Sequence, residues 1–386
     1  MRILFLVYHG FSDHSGISKK IHYQVKGLCQ NEHEVHLCYY DRGDNGHWQR
    51  LIDNGEVLED FGCSKLAGLR QRISYDSIYN YCVDYQIQMV YARCFQNANP
   101  WLVHFFSRVK KIGVKAVMEI PTYPYDQEFE GFSCIERLQL RIDQLFRKGL
   151  AQQLDAIVTF TNQERIFGQR TIRISNGVDL DSIPLHSSLT AASNSLHLIG
   201  VAEVHYWHGY DRLIAGLGEY YQNRSQMPEI KCKREVFFHI VGGVWKSEMY
   251  DDEHAPGFSE LIKKYGIEDK VIFHGQLFGE ELNAVFAQCN FAVGSLARHR
   301  CGISDIKTLK NREYASRGLP FVYSENDSDF DSQPYVLKVP ADETPIDIAN
   351  IVTFVEQLHV TPQEIRKSVE HLSWKVQMQR VVQEVL

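Results

Sequence analysis

NFAVGSLARHRCGISDIKTLKNREYASRGLPFV, residues 290–322, is the stretch on which the fold turns. Asn290 to Gly294 is a short apolar run closed by glycine, and Gly318-Leu319-Pro320-Phe321-Val322 opens a second one. Between them the chain passes from a basic loop, Arg298-His299-Arg300-Cys301-Gly302, into residues of helical character, with Ser304 or Asp305 as candidate cap. Strand, loop, helix and strand in that order predict a βα unit of a parallel sheet, and the amino end of the helix then opens at the carboxyl edge of that sheet. Ligands of open α/β sheets bind at that edge, and a helix amino end flanked by Arg298, Arg300 and Lys310 suits an anion. Gly302 allows close backbone approach there. Lys310 and Glu313, three residues apart on one face, point a cation and an acceptor the same way; the plain alternative is a surface helix with an ordinary ion pair.

The same alternation runs outward in both directions. Apolar runs at Ile3 to Tyr8, Glu34 to Tyr40, Met89 to Ala92, Ala116 to Ile120 and Ala156 to Phe160 predict strands of a first lobe, with a helix near Ile17 to Gln30. Turn formers then cluster at Ser175-Asn176-Gly177-Val178-Asp179 and through a Ser/Thr/Asn-rich segment. Beyond it strands recur at Leu196 to Ala202, Val236 to Val241, Val271 to His274, Phe291 to Gly294 and Pro320 to Ser324. The reading is α/β with two Rossmann-like domains, 1–177 and 178–372, as 386 residues suit two cores better than one. Residues 373–386 form a final helix with Trp374, Val376, Val381, Val382 and Val385 as its apolar face.

Composition narrows the function. The chain is 44% hydrophobic and 23% charged, the balance of a folded protein, and 48 acids against 41 bases leave a net charge of -7. Nucleic acid is therefore not the expected partner. Nine scattered cysteines without C-x-x-C spacing, no apolar run of about 18 residues and a first apolar run too short for a signal peptide predict a cytoplasmic protein. Contact with the inner face of a membrane stays open through Lys65, Arg70, Arg72, Lys110 and Lys111. No Asp-x-Asp at a strand end and no His/Cys cluster has ligand spacing, and the acidic Asp251-Asp252-Glu253-His254 reads as a solvated loop, so neither a metal nor another cofactor is expected.

Thr308-Leu309-Lys310-Asn311-Arg312-Glu313-Tyr314 resembles a motif of the retaining glycosyltransferases of family four, the group 1 type of bacterial polysaccharide biosynthesis, which have the GT-B fold. Asp305 and Glu313 stand at the family's spacing of two acids with seven residues between, Asp replacing the usual first Glu. Asn176-Gly177-Val178-Asp179, His239-Ile240-Val241-Gly242-Gly243 and Val271-Ile272-Phe273-His274-Gly275 resemble its boundary, glycine-loop and base-side segments in order. The resemblance implies that Glu313 holds the ribose hydroxyls, that Lys310 and nearby amides such as those at Gly243 and Ser304 hold a diphosphate, and that Asp305 or its neighbours hold the donor sugar. It also implies a final helix that returns to the first lobe and a cleft between lobes as the place of reaction. The family's Arg and Lys after the first strand of the second lobe are replaced here by Glu203 and His208. His208 remains a possible donor, since imidazole titrates near 6.5, and Arg298, Arg300 or Lys310 otherwise carry more of the charge.

In the first lobe, His14-Ser15-Gly16 after the first strand suggests amides near Gly16 facing the donor's leaving group. Glu119-Ile120-Pro121-Thr122-Tyr123-Pro124-Tyr125-Asp126-Gln127-Glu128 combines fixed backbone, rings and carboxylates. Tyr123, Tyr125 and Asp126 are candidate acceptor contacts, unless the rings pack in the core, and Glu119 stands where relatives contact the transferred sugar. The expected activity is metal-independent transfer from a nucleotide-diphosphate sugar to a glycan or lipid-linked acceptor. The rival readings are an epimerase of the same architecture and a two-lobed small-molecule binding protein.

Overall fold

The computed structural model describes residues 1–12, 15–43, 45–126, 134–188, 195–224, 234–243 and 257–386. His14, Gln127, Glu128 and the acidic 251–254 stretch lie outside them. The chain divides into two compact units, Met1–Gly177 with Leu372–Leu386, and Val178–His371.

The first unit is built on a nine-stranded sheet in the order β4-β3-β2-β1-β5-β6-β7-β9-β8. These strands are β1 (Arg2–Leu6), β2 (Glu34–Arg42), β3 (Trp48–Ile52), β4 (Glu56–Gly62), β5 (Met89–Arg93), β6 (Lys115–Ile120), β7 (Ala156–Thr159), β8 (Arg165–Ile166) and β9 (Gln169–Arg173). β2, β1, β5, β6, β7 and β9 run parallel, while β3, β4 and β8 pair antiparallel at the margins. Both faces of the parallel part are buried, which is why β1 reads as an unbroken apolar run: Leu4 and Leu6 enter one core, Ile3, Phe5 and Val7 the other. The hairpin of β3 and β4 was not among the expected elements, although Asp53-Asn54-Gly55 supplies its turn, with φ 48° at Asp53 and 96° at Gly55.

Among the described residues five helices lie in the chain between these strands: α1 (Gly16–Gln30), α2 (Ala67–Ile73), α3 (Asp76–Asp84), α4 (Pro100–Lys111) and α5 (Cys134–Ala151). Ser15 caps α1 by accepting from the Ser18 amide, and Asn99 caps α4 in the same way with Pro100 at its first position. The last helix of the chain, α12 (Trp374–Val385), packs on α1 in this unit. Its buried face is Trp374, Met378, Val381, Val382 and Val385; Val376, expected on that face, is exposed, because Met378 follows Trp374 at the helical spacing of four. A Cβ on Gly27 would come within 2.7 Å of the Trp374 backbone, and one on Gly177 within 2.4 Å of its ring, so both glycines are needed for the close approach. Trp374→Ala is expected to cost about 3–5 kcal/mol in chemical denaturation, the range for emptying a buried aromatic site.

In the second unit β10 (Ser195–Val201), β11 (Glu235–Val241), β12 (Val271–Gly275), β13 (Phe291–Val293), β14 (Phe321–Tyr323) and β15 (Val336–Lys338) form a sheet in the order β12-β11-β10-β13-β14-β15. Every pair in it is parallel. Counted within the unit this is 3-2-1-4-5-6, the doubly wound dinucleotide-binding order, whose reversal point falls between β10 and β13. The accompanying helices are α6 (Tyr210–Arg224), α7 (Phe258–Tyr265), α8 (Gly279–Gln288), α9 (Leu309–Ser316), α10 (Ile348–Gln357) and α11 (Pro362–Ser368). In the first unit the equivalent reversal lies between β1 and β5.

Candidate functional site

The reversal point of the second unit collects a group of charges. His208 lies in the 3-10 turn Tyr206–His208 after β10, Arg298 follows β13, Lys310 stands in the first turn of α9, and Glu325 follows β14. Tyr314 ties these elements together: its hydroxyl accepts from the Val201 amide at 3.1 Å and donates to the Val293 carbonyl at 3.1 Å, joining α9 to the ends of β10 and β13. On the other side of α9 the fully buried Arg312 is bonded to Asp327, at 2.7 and 3.1 Å, and to Asp329. The helix that carries Lys310 is thus fixed from two directions.

Among the described residues Lys310 Nζ is buried and has no hydrogen-bond partner, and the carboxylate of Glu325, a residue 2% exposed, has none beyond its own backbone. Burial, aided by Arg298 and opposed by Glu325, pulls the Lys310 amine down to about 7. Burial also pushes Glu325 up to about 7, against the pull of Lys310 and Arg298. His208, 5% exposed, is held far below its ordinary range by burial and by the charges of Lys310 and Arg298, and is neutral. The His205 amide donates to His208 Nδ1 at 2.9 Å, which assigns the imidazole proton to Nε2 and makes that nitrogen a donor. Arg298 donates to Ser295 Oγ at 3.3 Å and lies 5.6 Å from the Trp207 ring centre. Buried polar groups normally find partners, so an ammonium and a carboxyl left without them mark a place shaped for a ligand's own polar atoms.

Other expected members of this site fall elsewhere. α9 begins at Leu309 and is capped by Thr308, whose side chain accepts from the Asn311 amide; Ser304 and Asp305 do not cap it. They belong to an extended segment in which the Asn326 amide donates to the Ser304 carbonyl at 2.7 Å, Asp305 bridges Asn326, and Ser304 Oγ donates to the Asp305 carboxylate. Gly302, at φ 69°, closes the 3-10 turn Arg298–Cys301 instead of admitting a ligand by its smallness. Arg300 is not an available cation, since Asp211 and Glu343 hold it at 2.7 and 2.5 Å. Glu313 pairs with Arg317 through Oε1 at 2.8 Å and not with Lys310. Gly243 follows β11, and its carbonyl accepts from the Val204 amide at 3.1 Å.

Glu325 was missed. It stands just past the predicted strand Pro320 to Ser324, at the edge where ligands bind, and that position was the signal. Among the described residues no group of three or more His, Cys, Asp or Glu side chains is arranged to hold a metal ion.

At the reversal point of the first unit, Tyr8, His9 and Gly10 after β1 and Phe95 after β5 line a pocket of about 580 Å³ together with Tyr40, Trp48, Leu69, Arg72, Ile135 and Gln139. Among the described residues buried His9 Nε2 has no partner, while Nδ1 is 2.8 Å from the Gly10 carbonyl. No residue of this pocket was singled out in the sequence as an acceptor contact. Gly16 opens α1, and a Cβ built on it would meet nothing within 4 Å.

The loop after β6 is a connector. Tyr125 is 2% exposed, donates to Asp143 at 2.6 Å and packs on Phe167 beside Tyr123; Asp126 pairs with Arg147 at 2.7 Å. Glu119 is completely buried with both oxygens occupied, Oε2 by Gln24 and Tyr91 at 2.6 Å each, Oε1 by Arg93 at 2.9 Å and Lys20 at 3.3 Å. Burial alone would raise its pKa, but Lys20, Arg93 and the two hydrogen bonds outweigh this and lower it to about 2. It is a core ion cluster and not a group that reaches a sugar.

No protein-family model matches the chain, and no curated protein sequence is similar to it. Solved structures are similar along its whole length. The sucrose-phosphate synthase of Thermosynechococcus elongatus has a TM-score of 0.62 at 14% identity, covering 99% of this chain and 97% of that one. AviGT4, a glycosyltransferase involved in avilamycin A biosynthesis, has a TM-score of 0.52 at 13% identity over 100% and 96%. The trehalose-6-phosphate structure from E. coli bound with UDP-2-fluoro glucose has 0.57 at 11% over 100% and 99%. The chain has the GT-B fold of these glycosyltransferases, two Rossmann-like domains in one polypeptide.

Proposed function

We propose that the chain is a glycosyltransferase that moves a sugar from a nucleotide-diphosphate sugar to a glycan or lipid-linked acceptor, with retention and without metal or other cofactor. The observation that carries the reading is the Lys310 ammonium, unpartnered among the described residues and set with Arg298 and the neutral His208 at the reversal point of a doubly wound parallel sheet. Sugar transfer builds negative charge on the departing diphosphate, and fixed cations and donors at that point stabilise it. Lys310 and Arg298 supply the positive charge that a metal supplies in other transferases, and His208 Nε2 adds a neutral donor.

The bond from the sugar's anomeric carbon to the diphosphate oxygen breaks while the acceptor oxygen bonds to the same face. The acceptor's proton passes to the departing phosphate. Glu313, held by Arg317 through Oε1, keeps Oε2 for the ribose hydroxyls. The pocket between β1 and β5 is the acceptor site of this reading. The similar structures support it through fold, and among them are a sucrose-phosphate synthase and a protein bound with UDP-2-fluoro glucose.

Thermal unfolding with a panel of nucleoside diphosphates tests the donor site, a ligand at 100 times its dissociation constant stabilising by about 2.7 kcal/mol. Affinity is expected to fall as pH rises through about 7. Below that, Lys310 is charged and Glu325 neutral; above it the amine discharges and the carboxyl ionises, and both changes disfavour an anion. Unfolding temperatures indifferent to every diphosphate, or an affinity flat from about pH 6 to about pH 8, would remove the assignment.

A further inference from the structure

The solvent face of α5 is apolar where a helix of a folded unit is ordinarily polar. Ile135, Leu138, Ile142 and Leu145 are 70, 57, 37 and 77% exposed and recur at steps of three, four and three, a single stripe along the helix. Beside the stripe runs a basic row, the exposed Arg141 and Lys148. The inward face is accounted for separately, by Asp143, Leu150 and the Arg147 to Asp126 pair. Of the two acids on α5, Asp143 is buried and Glu136 half-buried, so none stands among the exposed residues.

The stripe does not end with the helix. Ile135 and Leu69 both line the pocket between β1 and β5, and around Leu69 the exposed Leu66, Lys65 and Arg70 repeat the pattern of apolar and basic residues. The chain as a whole carries a net charge of -7, yet the exposed charges of this face are basic among the described residues.

We propose that α5 and the adjoining α2 form a face that docks on an anionic lipid bilayer, with the mouth of the first unit's pocket at its margin. Large exposed apolar side chains beside a cationic row describe a helix lying in a membrane interface, the apolar residues entering the acyl boundary and the bases meeting lipid phosphates. Among the described residues no helix is long and apolar enough to cross a membrane, so the contact is peripheral. A second copy of the chain fits this face less well, because a twofold interface would set the basic row against itself. An acceptor carried in the bilayer would reach the pocket directly from this face.

The test uses the full chain in co-sedimentation with vesicles of phosphatidylcholine alone and of phosphatidylcholine mixed with phosphatidylglycerol. Binding is expected to be at least about tenfold tighter to the anionic vesicles and to weaken with salt. The pairs Leu138→Gln with Leu145→Gln, and Arg141→Glu with Lys148→Glu, should each lower it by about tenfold or more while leaving unfolding temperature unchanged, since all four residues are exposed. Equal binding to both vesicles, variants that bind like the parent, or a dimer in solution that the leucine variants dissociate would overturn the proposal. The vesicle assay contains no nucleotide, so its failure leaves the donor-site reading standing, and loss of diphosphate binding leaves the docking face standing.

Discussion

Lys310→Met is expected to slow sugar transfer by about 100- to 1,000-fold, or about 2.7–4 kcal/mol of lost stabilisation of the leaving charge, the range for removing one preorganised electrostatic group. The same substitution should leave stability unchanged or raise it. In the folded chain the Lys310 ammonium is buried without a hydrogen-bond partner among the described residues, so that its desolvation is offset only by the charge of Glu325, and Met fills much the same space with no charge to bury. A structural lysine would behave in the opposite way, losing stability with little change in rate. Single-turnover transfer and chemical denaturation on one protein sample therefore decide the role, and a variant that transfers normally or unfolds early sinks it.

Glu119→Ala should do the reverse. It removes the only carboxylate bonded to Lys20 and Arg93 among the described residues and leaves two buried cations facing one another, at an expected cost of about 3–5 kcal/mol in denaturant unfolding. Lys20, already lowered to about 8 by burial despite Glu119, would lose its proton near neutrality once the carboxylate is gone. Any loss of transfer should follow the loss of folded protein. A Glu119→Ala chain of parental stability that has lost its activity would restore this residue to the sugar site and contradict the closed network seen around it.

The two cases show which parts of the molecule the sequence discloses. Parallel strands buried on both faces read as continuous apolar runs, so β1, β5, β6, β7, β10 and β11 are visible without a structure. The β3 and β4 hairpin was not seen, because its half-exposed strands break the apolar run with Gln49, Arg50, Glu59 and Asp60, and only the turn signals it. In the site, Lys310 was legible because chemistry and position coincide in a strand-to-helix connection. Arg300 looked equivalent along the chain, two residues after Arg298, but its partners Asp211 and Glu343 are remote in sequence, and no local pattern shows that they neutralise it. Glu119 was misread for the same reason, since Gln24, Tyr91 and Lys20 reach it from other strands and helices. Cap assignment failed more locally: Ser304, Asp305 and Thr308 are all good caps, and pairing of 304–306 with Asn326 decides among them.

The packing of α12 on α1 has a bearing on how the protein is made. A ribosome releases β1 and α1 long before Trp374, so Ile21 and Leu28 await partners that cover them until the whole of the second unit has been made. The polypeptide of the second unit emerges whole in the meantime and is free to mature ahead of the first. Premature termination between His371 and Trp374 would then yield a finished second unit attached to an unfinished first one, a species for which proteolytic clearance, rather than partial activity, is the expected fate.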